Sequence, residues 1–337
     1  STPALDLVSF CFFFNDTATT EISTLSLPAA LPICGRAPFD QILTHGFTMA
    51  SDGRKMSKSL GNTIDPLKVM ELYGADIIRL WALSVDFTED HRIGDEILKG
   101  VGDQYRKLRN TFRYLLGALD GFVGDMGDAG EIPELERYVL ALLADLDGKL
   151  RKAVEDYDFN AYTRLLVDFC NEDLSAFYFD IRKDSLYCDG PDNPTRLASL
   201  SVLDEIFNCL TAWFAPILCF TAEEAWLART GDTPDNSVHL RQFPEPPDSW
   251  RDDALAAKWA IMRRVRRVVT GAIEIERAEK RIRSSLQATP VVYLGAREIA
   301  AFAGVDAAEL AITSDLTLVD GAPPANAIGR PSSRERG

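Results

Sequence analysis

Two lysines stand three residues apart in Lys55-Met56-Ser57-Lys58-Ser59, followed by Leu60-Gly61-Asn62. Each ammonium is a compact point charge that offers up to three donors. On a loop of small and polar residues, bracketed by Gly53 and Gly61 as candidate hinges, such a pair can close over a polyphosphate. Phosphoryl and nucleotidyl transfer depend largely on positioning and on neutralising charge at the leaving oxygens. A bare Lys-x-x-Lys suits a solvated basic loop equally well.

The loop needs elements to hold it. Phe39 to Met49 is an apolar-rich, strand-like run, and Ser51-Asp52-Gly53 is a turn. Asp65-Pro66 opens a helix that ends near Tyr73-Gly74, and another is expected over 75–83. From about Asp95 the period is helical. Tyr105, Leu108, Phe112 and Leu115 form an apolar face, and Arg106, Arg109 and Arg113 form a basic one. A helix through Leu135, Val139, Leu142, Leu146 and Leu150 follows. Asn160 is the candidate cap of the next, which should bury Leu165, Phe169, Leu174 and Phe177. After the Gly190–Pro194 turn, a helix is expected over 195–215, and Thr221-Ala-Glu-Glu224 forms a capping box. A Pro-rich connector, Phe243 to Trp250, leads to a long helix from about Asp253 to Lys280. Pro290–Leu294 and Leu316–Val319 then read as strands around a helix at 296–303, a small α/β segment.

The 337 residues carry a net charge of −15, with 46% hydrophobic and 26% charged residues. That balance excludes a mostly disordered, collagen-like or membrane-embedded chain. The apolar runs at 7–14 and 210–220 are too short to span a bilayer. Six cysteines show no metal-ligand spacing, and His45, His91 and His239 stand apart, so no metal site is expected. Cys170, Cys209 and Cys219 fall in apolar helix patterns, as do Trp213 and Trp226, and all five are expected in the core. Against the acidic total, Met262 to Arg283 holds eight basic and three acidic residues, net +5. Such a stripe suits a nucleic-acid backbone. An ordinary salt-bridged helix face is the alternative, since Glu276 and Lys280 are four apart.

The ends differ from the rest. Asn15 to Ile33 has no Lys or Arg and no steady period, and it resembles a translated sequencing-library adapter. Ile328-Gly329-Arg330 with Arg334-Glu335-Arg336 resembles the reverse read. Residues 1–33 and 328–337 are therefore expected to be non-native, leaving a piece of a longer protein.

The full lysine string, with its surroundings, resembles the signature loop of class I aminoacyl-tRNA synthetases. Supporting strings are Thr44-His-Gly-Phe47, Tyr73-Gly-Ala-Asp76, Arg79-Leu-Trp81, Ser84-Val-Asp86 and Glu96-Ile-Leu-Lys99. Others are Arg109-Asn-Thr-Phe-Arg-Tyr-Leu-Leu116, Asp173-Leu-Ser-Ala-Phe-Tyr178, Ala215-Pro-Ile-Leu218 and Phe220-Thr-Ala-Glu-Glu-Ala-Trp226. The run from Arg79 to Leu116 is most similar to the isoleucine branch. The resemblance implies a mainly α chain. Residues 34–94 would be the end of an α/β Rossmann-type catalytic domain, 95–250 a helical anticodon-binding bundle, and 251–327 the start of a C-terminal junction. It implies a cytoplasmic, monomeric ligase that uses ATP with Mg2+, isoleucine and isoleucine tRNA. The lysine loop, Lys55, Met56, Ser57, Lys58 and Ser59, would hold ATP and pyrophosphate, with Lys55 and Lys58 catalytic and Lys58 the stronger ATP contact. Arg106, Arg109, Arg113, Arg263, Arg264 and Arg267 would meet tRNA. The zinc of the complete family member would have no ligands here, and the nucleotide signature, amino-acid pocket and editing domain would also lie elsewhere, so this piece alone should be inactive. Arg283 stands where the family more often has glycine. A valine or leucine ligase, or a non-catalytic helical tRNA-binding module, are the rival readings.

Overall fold

A computed structural model describes residues 43–124, 131–324 and 327–328. The expectations for 1–33, for Cys11 and Cys34, for the strand-like run before Leu43 and for 329–337 lie outside these residues. The described chain forms two compact units, one of 43–63 with 86–93, the other of 64–85 with the described residues from 94 onward.

The smaller unit is built on two short parallel strands, β1 (Thr48–Met49) and β2 (His91–Arg92). Thr48 lies opposite His91 and Met49 opposite Arg92. Backbone bonds extend the pairing, from His91 N–H to the Phe47 carbonyl at 3.0 Å and from Ile93 N–H to Met49 at 3.1 Å. Gly46 is required by close approach, because a Cβ there would come within 2.3 Å of the Glu89 carbonyl group. The expected strand is therefore confined, among the described residues, to two positions.

The larger unit is helical. Helix α1 (Pro66–Tyr73) starts as expected, with the Asp65 carboxylate accepting from Leu67 N–H at 3.0 Å. Then come α2 (Ala75–Ser84), α3 (Asp95–Ala118) and α4 (Glu134–Glu155). Leu108, Phe112 and Leu115 of α3 are buried, so the predicted apolar face is the packed one. Helix α5 (Phe159–Asp168) runs into a ten-residue π-helical segment, Phe169–Tyr178, and on into α6 (Phe179–Cys188). In the segment, Phe179 N–H donates to Leu174 O, five residues back. The expected cap at Asn160 is corrected. Asp158 caps α5 through Ala161 N–H at 2.9 Å, while the Asn160 amide donates to Ser84 O. The expected burial of Leu165 is also corrected, since the fully buried neighbour is Leu166.

Helices α7 (Pro194–Phe214), α8 (Cys219–Thr230) and α9 (Asp253–Ala278) complete the helical layer. By length and composition α7 could cross a membrane, but most of it is buried among the other helices. Its Phe207, Trp213 and Phe214 are fully enclosed. Last come β3 (Val291–Leu294), α10 (Ala296–Ala301), α11 (Ala307–Ala311) and β4 (Thr317–Asp320). The two strands pair in parallel, Val291 opposite Thr317, with the short helices as the crossover. This is the small α/β segment the sequence predicts.

Candidate functional site

The lysine loop leaves β1 through the turn at Gly53 and re-enters the ladder at Lys55, which bridges Met49. Ser57 then opens a single 3-10 turn, Lys58–Leu60, and its hydroxyl accepts from Leu60 N–H at 3.2 Å. Gly61, at φ 65°, ends that turn in the left-handed region, where a side chain is disfavoured. Lys55 and Lys58 are both exposed. The Lys55 ammonium lies 5.6 Å from the centroid of the Phe47 ring, within cation–π reach. Ser57 and Ser59 hydroxyls are 3.0 Å apart. Among the described residues neither lysine is ion-paired, so both ammoniums face solvent with donors available for a ligand. Sequence reasoning gave no role to Asn62, whose amide spans the loop, or to Phe47. The Gly61-Asn62 pair closing the lysine string was the available signal.

The strings after the loop join helices of the larger unit. Buried Asp76 on α2 caps the first turn of α8, accepting from Phe220 N–H at 3.3 Å, Thr221 N–H at 2.8 Å and the Thr221 hydroxyl at 2.7 Å. Arg79, one turn on, donates to Ile217 O at 3.0 Å and Pro216 O at 2.7 Å where α7 ends. The expected capping box at Thr221–Glu224 is thereby corrected. The helix begins at Cys219, its cap comes from Asp76, and Glu224 turns outward to a bidentate pair with Arg109, both bonds 2.8 Å. That pair raises the Arg109 pKa and lowers that of Glu224, each through the shared hydrogen bonds.

The basic residues divide into two groups. Arg263 donates to the Asp173 carboxylate and to Glu172 O, and its guanidinium lies 4.6 Å from the Phe177 centroid. Burial pushes the Asp173 carboxyl up despite this partner. Arg266 reaches Ala176 O at 3.0 Å, Asp180 at 3.2 Å and Leu310 O at 2.8 Å. A carbonyl has two lone pairs, and the π segment presents two carbonyls, of Glu172 and Ala176, to these forks. Arg106, Arg113, Arg264 and Arg267 are exposed. Arg106 pairs with Asp103 at 2.7 Å, and Arg264 stands 3.9 Å from Glu298. Where α9 ends, its Glu274, Arg277 and Ala278 and the following Lys280, Ile282 and Arg283 line an open groove of about 620 Å3. Arg277 is tied to Glu274 at 2.6 Å, and Arg281 to Glu276 and Glu279.

The remaining chemistry-bearing residues sit quietly. Cys170 and Cys209 are buried and free, and burial pushes the Cys209 thiol up to about 12. Cys219 is half-buried and Cys188 exposed. Trp226 is half-buried rather than core, with Arg241 stacked 4.2 Å from its ring centroid. His91 shares a 2.9 Å bond with Thr48 Oγ, and His239 a 3.1 Å bond with Cys219 O. Among the described residues no three His, Cys, Asp or Glu side chains gather as a metal site.

Two family models match. "Anticodon-binding domain of tRNA ligase" covers residues 136–292, taking in α9 as well as α4 to α8. "tRNA synthetases class I (I, L, M and V)" covers 21–94, beginning inside the stretch expected to be foreign. The isoleucine–tRNA ligase of Agrobacterium fabrum is 53% identical over 293 residues, 87% of this chain and 30% of that protein. That of Mesorhizobium japonicum is 54% identical over 295 residues, with the same coverage. The chain thus spans about a third of the length of these curated relatives. A methionyl-tRNA synthetase of Mycobacterium tuberculosis, solved in complex with methionyl-adenylate, shares the fold with a TM-score of 0.53 at 23% identity, over 67% of this chain and 46% of that one. The lysine loop, the stitched connecting helices and the bundle after them fall within these matches, and the chain belongs to the class I tRNA synthetases.

Proposed function

We propose that this chain is part of an isoleucine–tRNA ligase, an ATP-dependent enzyme that joins isoleucine to AMP and then to isoleucine tRNA. Residues 34–94 belong to the catalytic domain, 95–250 to the anticodon-binding bundle and 251–327 to a C-terminal junction. The observation that carries this reading is the exposed Lys55 and Lys58, neither ion-paired among the described residues, on a tethered loop. That loop lies in a chain about half identical to isoleucine–tRNA ligases over most of its length.

In adenylate formation the isoleucine carboxylate oxygen attacks the α-phosphorus of Mg2+-bound ATP. The bond from that phosphorus to the bridging oxygen breaks, and pyrophosphate leaves with its electrons. Lys55 and Lys58 bind the β- and γ-phosphates and stabilise the charge that develops there, Lys58 most directly. Met56, Ser57 and Ser59 complete that loop. The tRNA side is met by Arg264 and Arg267 on α9, with Arg106, Arg109 and Arg113 on α3 as a second patch. Arg109 would exchange Glu224 for phosphate, and Arg263 would act by holding α9 to the π segment. The enzyme works as a monomer in the cytoplasm.

The test uses the purified chain, free of host enzyme. It should bind isoleucine tRNA weakly, with affinity that falls as salt rises, and should catalyse no isoleucine-dependent ATP–pyrophosphate exchange. Salt-independent binding would overturn the arginine patches as the tRNA surface; equal binding of valine and leucine tRNAs would overturn the isoleucine assignment; exchange by the chain alone would overturn its division into parts.

A further inference from the structure

The lysine loop is held by a residue outside its five-residue string. The Asn62 carboxamide oxygen accepts from Ser57 N–H at 2.9 Å, and its amide nitrogen donates to Lys55 O at 3.3 Å. One side chain thus fastens the main chain on both sides of Met56. Gly61, in the left-handed region, turns the chain back so that Asn62 reaches it. Ser57, fastened by Asn62, in turn accepts from Leu60 N–H and caps the turn that begins at Lys58. The root of Lys55 is bonded directly and the root of Lys58 through one intermediary. Asn offers an acceptor and a donor on one short planar group; Asp would offer acceptors only, and Ala neither.

We propose that Asn62 is a positioning residue for the lysine pair. It sets the separation of the Lys55 and Lys58 backbones so that both ammoniums reach one polyphosphate chain. This inference rests on the reading of the loop as a pyrophosphate clamp. The need for such a tether is general. Two long, flexible side chains gain catalytic value only when their roots are fixed, and a misplacement of about 1 Å can cost about 10²-fold in rate. Met56 and Ser57 stand between the two lysines, and a loop that flexed there would let the two charges act independently.

The test is made in a full-length synthetase that carries this segment, with Asn62→Ala, Asn62→Asp, Lys58→Ala and the Asn62→Ala/Lys58→Ala double variant. Single-turnover adenylate formation, aminoacyl transfer from preformed adenylate, the isoleucine KM and the thermal midpoint are measured for each. Asn62→Ala should slow adenylate formation about 10- to 100-fold. It should leave transfer, the isoleucine KM and the midpoint unchanged. Asn62→Asp keeps the acceptor for Ser57 and loses the donor to Lys55, so it should fold normally and also be slowed. In the Lys58→Ala background the Asn62 change should add less than about twofold, since residues acting through one another are not additive. A slow Lys58→Ala beside an Asn62→Ala of wild-type rate overturns the inference alone. So does full multiplication of the two effects, or an Asn62→Ala defect that appears equally in transfer and in the thermal midpoint. A wild-type rate in Lys58→Ala overturns the clamp reading, and the inference falls with it.

Discussion

Lys55 and Lys58 are two cations three residues apart, and so are Arg263 and Arg266. The first pair is exposed and meets no carboxylate among the described residues. The second is sunk against the π segment, α6 and α11, where Asp173, Asp180 and the carbonyls of Glu172, Ala176 and Leu310 take up its donors. Spacing alone therefore says little about what a pair of cations is for. The opposing element decides. A solvated loop leaves compact, strongly hydrated ammoniums available, while a helix that offers carboxylates and carbonyls fills planar guanidinium forks. The same division separates Arg263 from its neighbour Arg264, which one step of helical rotation sends to solvent.

The largest effect should come from the buried side. Glu136, fully enclosed, accepts from Arg182 at 2.6 and 2.7 Å, from Ser199 at 3.0 Å and from Tyr178 at 3.2 Å. Glu136→Ala leaves a buried guanidinium with Glu309 as its one carboxylate among the described residues and should destabilise the chain by about 3–5 kcal/mol, read as a lower urea midpoint. A loss below about 1 kcal/mol would mean the cluster is wet and the contrast with the loop overdrawn. On the exposed side, Lys58→Ala in the full-length enzyme should slow adenylate formation by about 10²–10³, roughly 3–4 kcal/mol of barrier. Its urea midpoint should not move, and the transfer step should suffer far less; equal slowing of both steps would remove Lys58 from the leaving-group side. Arg263→Met should cost about 1–3 kcal/mol of stability by leaving Asp173 unpaired, while the folded variant keeps its tRNA affinity. The smallest changes belong to Arg264→Ala and Arg267→Ala. Each should leave stability within about 0.5 kcal/mol and reduce the slope of log affinity against log salt by about 1. If Arg263→Met weakens tRNA binding more than Arg264→Ala does, the two roles are exchanged.

The helices were legible because their burial follows one period. The apolar face of α3 and the Asp65-Pro66 start of α1 lie where local chemistry puts them. Local chemistry misled where a distant residue supplied the partner. Thr221 and Glu224 have the pattern of a cap, yet Asp76, 145 residues earlier, takes the Thr221 N–H and hydroxyl. The π segment was equally hidden: its helical period reads like the rest, and its contacts with Arg263 and Arg266 come from a helix about ninety residues on. The lysine string was visible as charge, but the amide of Asn62 that spans it became apparent only from the return of the chain at Gly61.

The parallel pairing of β1 with β2 has a practical consequence. Residues 86–93 return to join 43–63 after the chain has built α1 and α2, which belong to the other unit. No single cleavage can separate the two units. A protease cutting after Thr63 frees nothing, because the chain still crosses between the units twice more, at Val85–Asp86 and at Ile93–Gly94. Expressing the helical unit by itself calls for a start near Ile64 and, in addition, excision of 86–93 with a short splice from Val85 to Gly94. A simple N-terminal truncation would instead carry along a β2 strand stripped of its partner, with its backbone donors and acceptors open to whatever edge they next encounter.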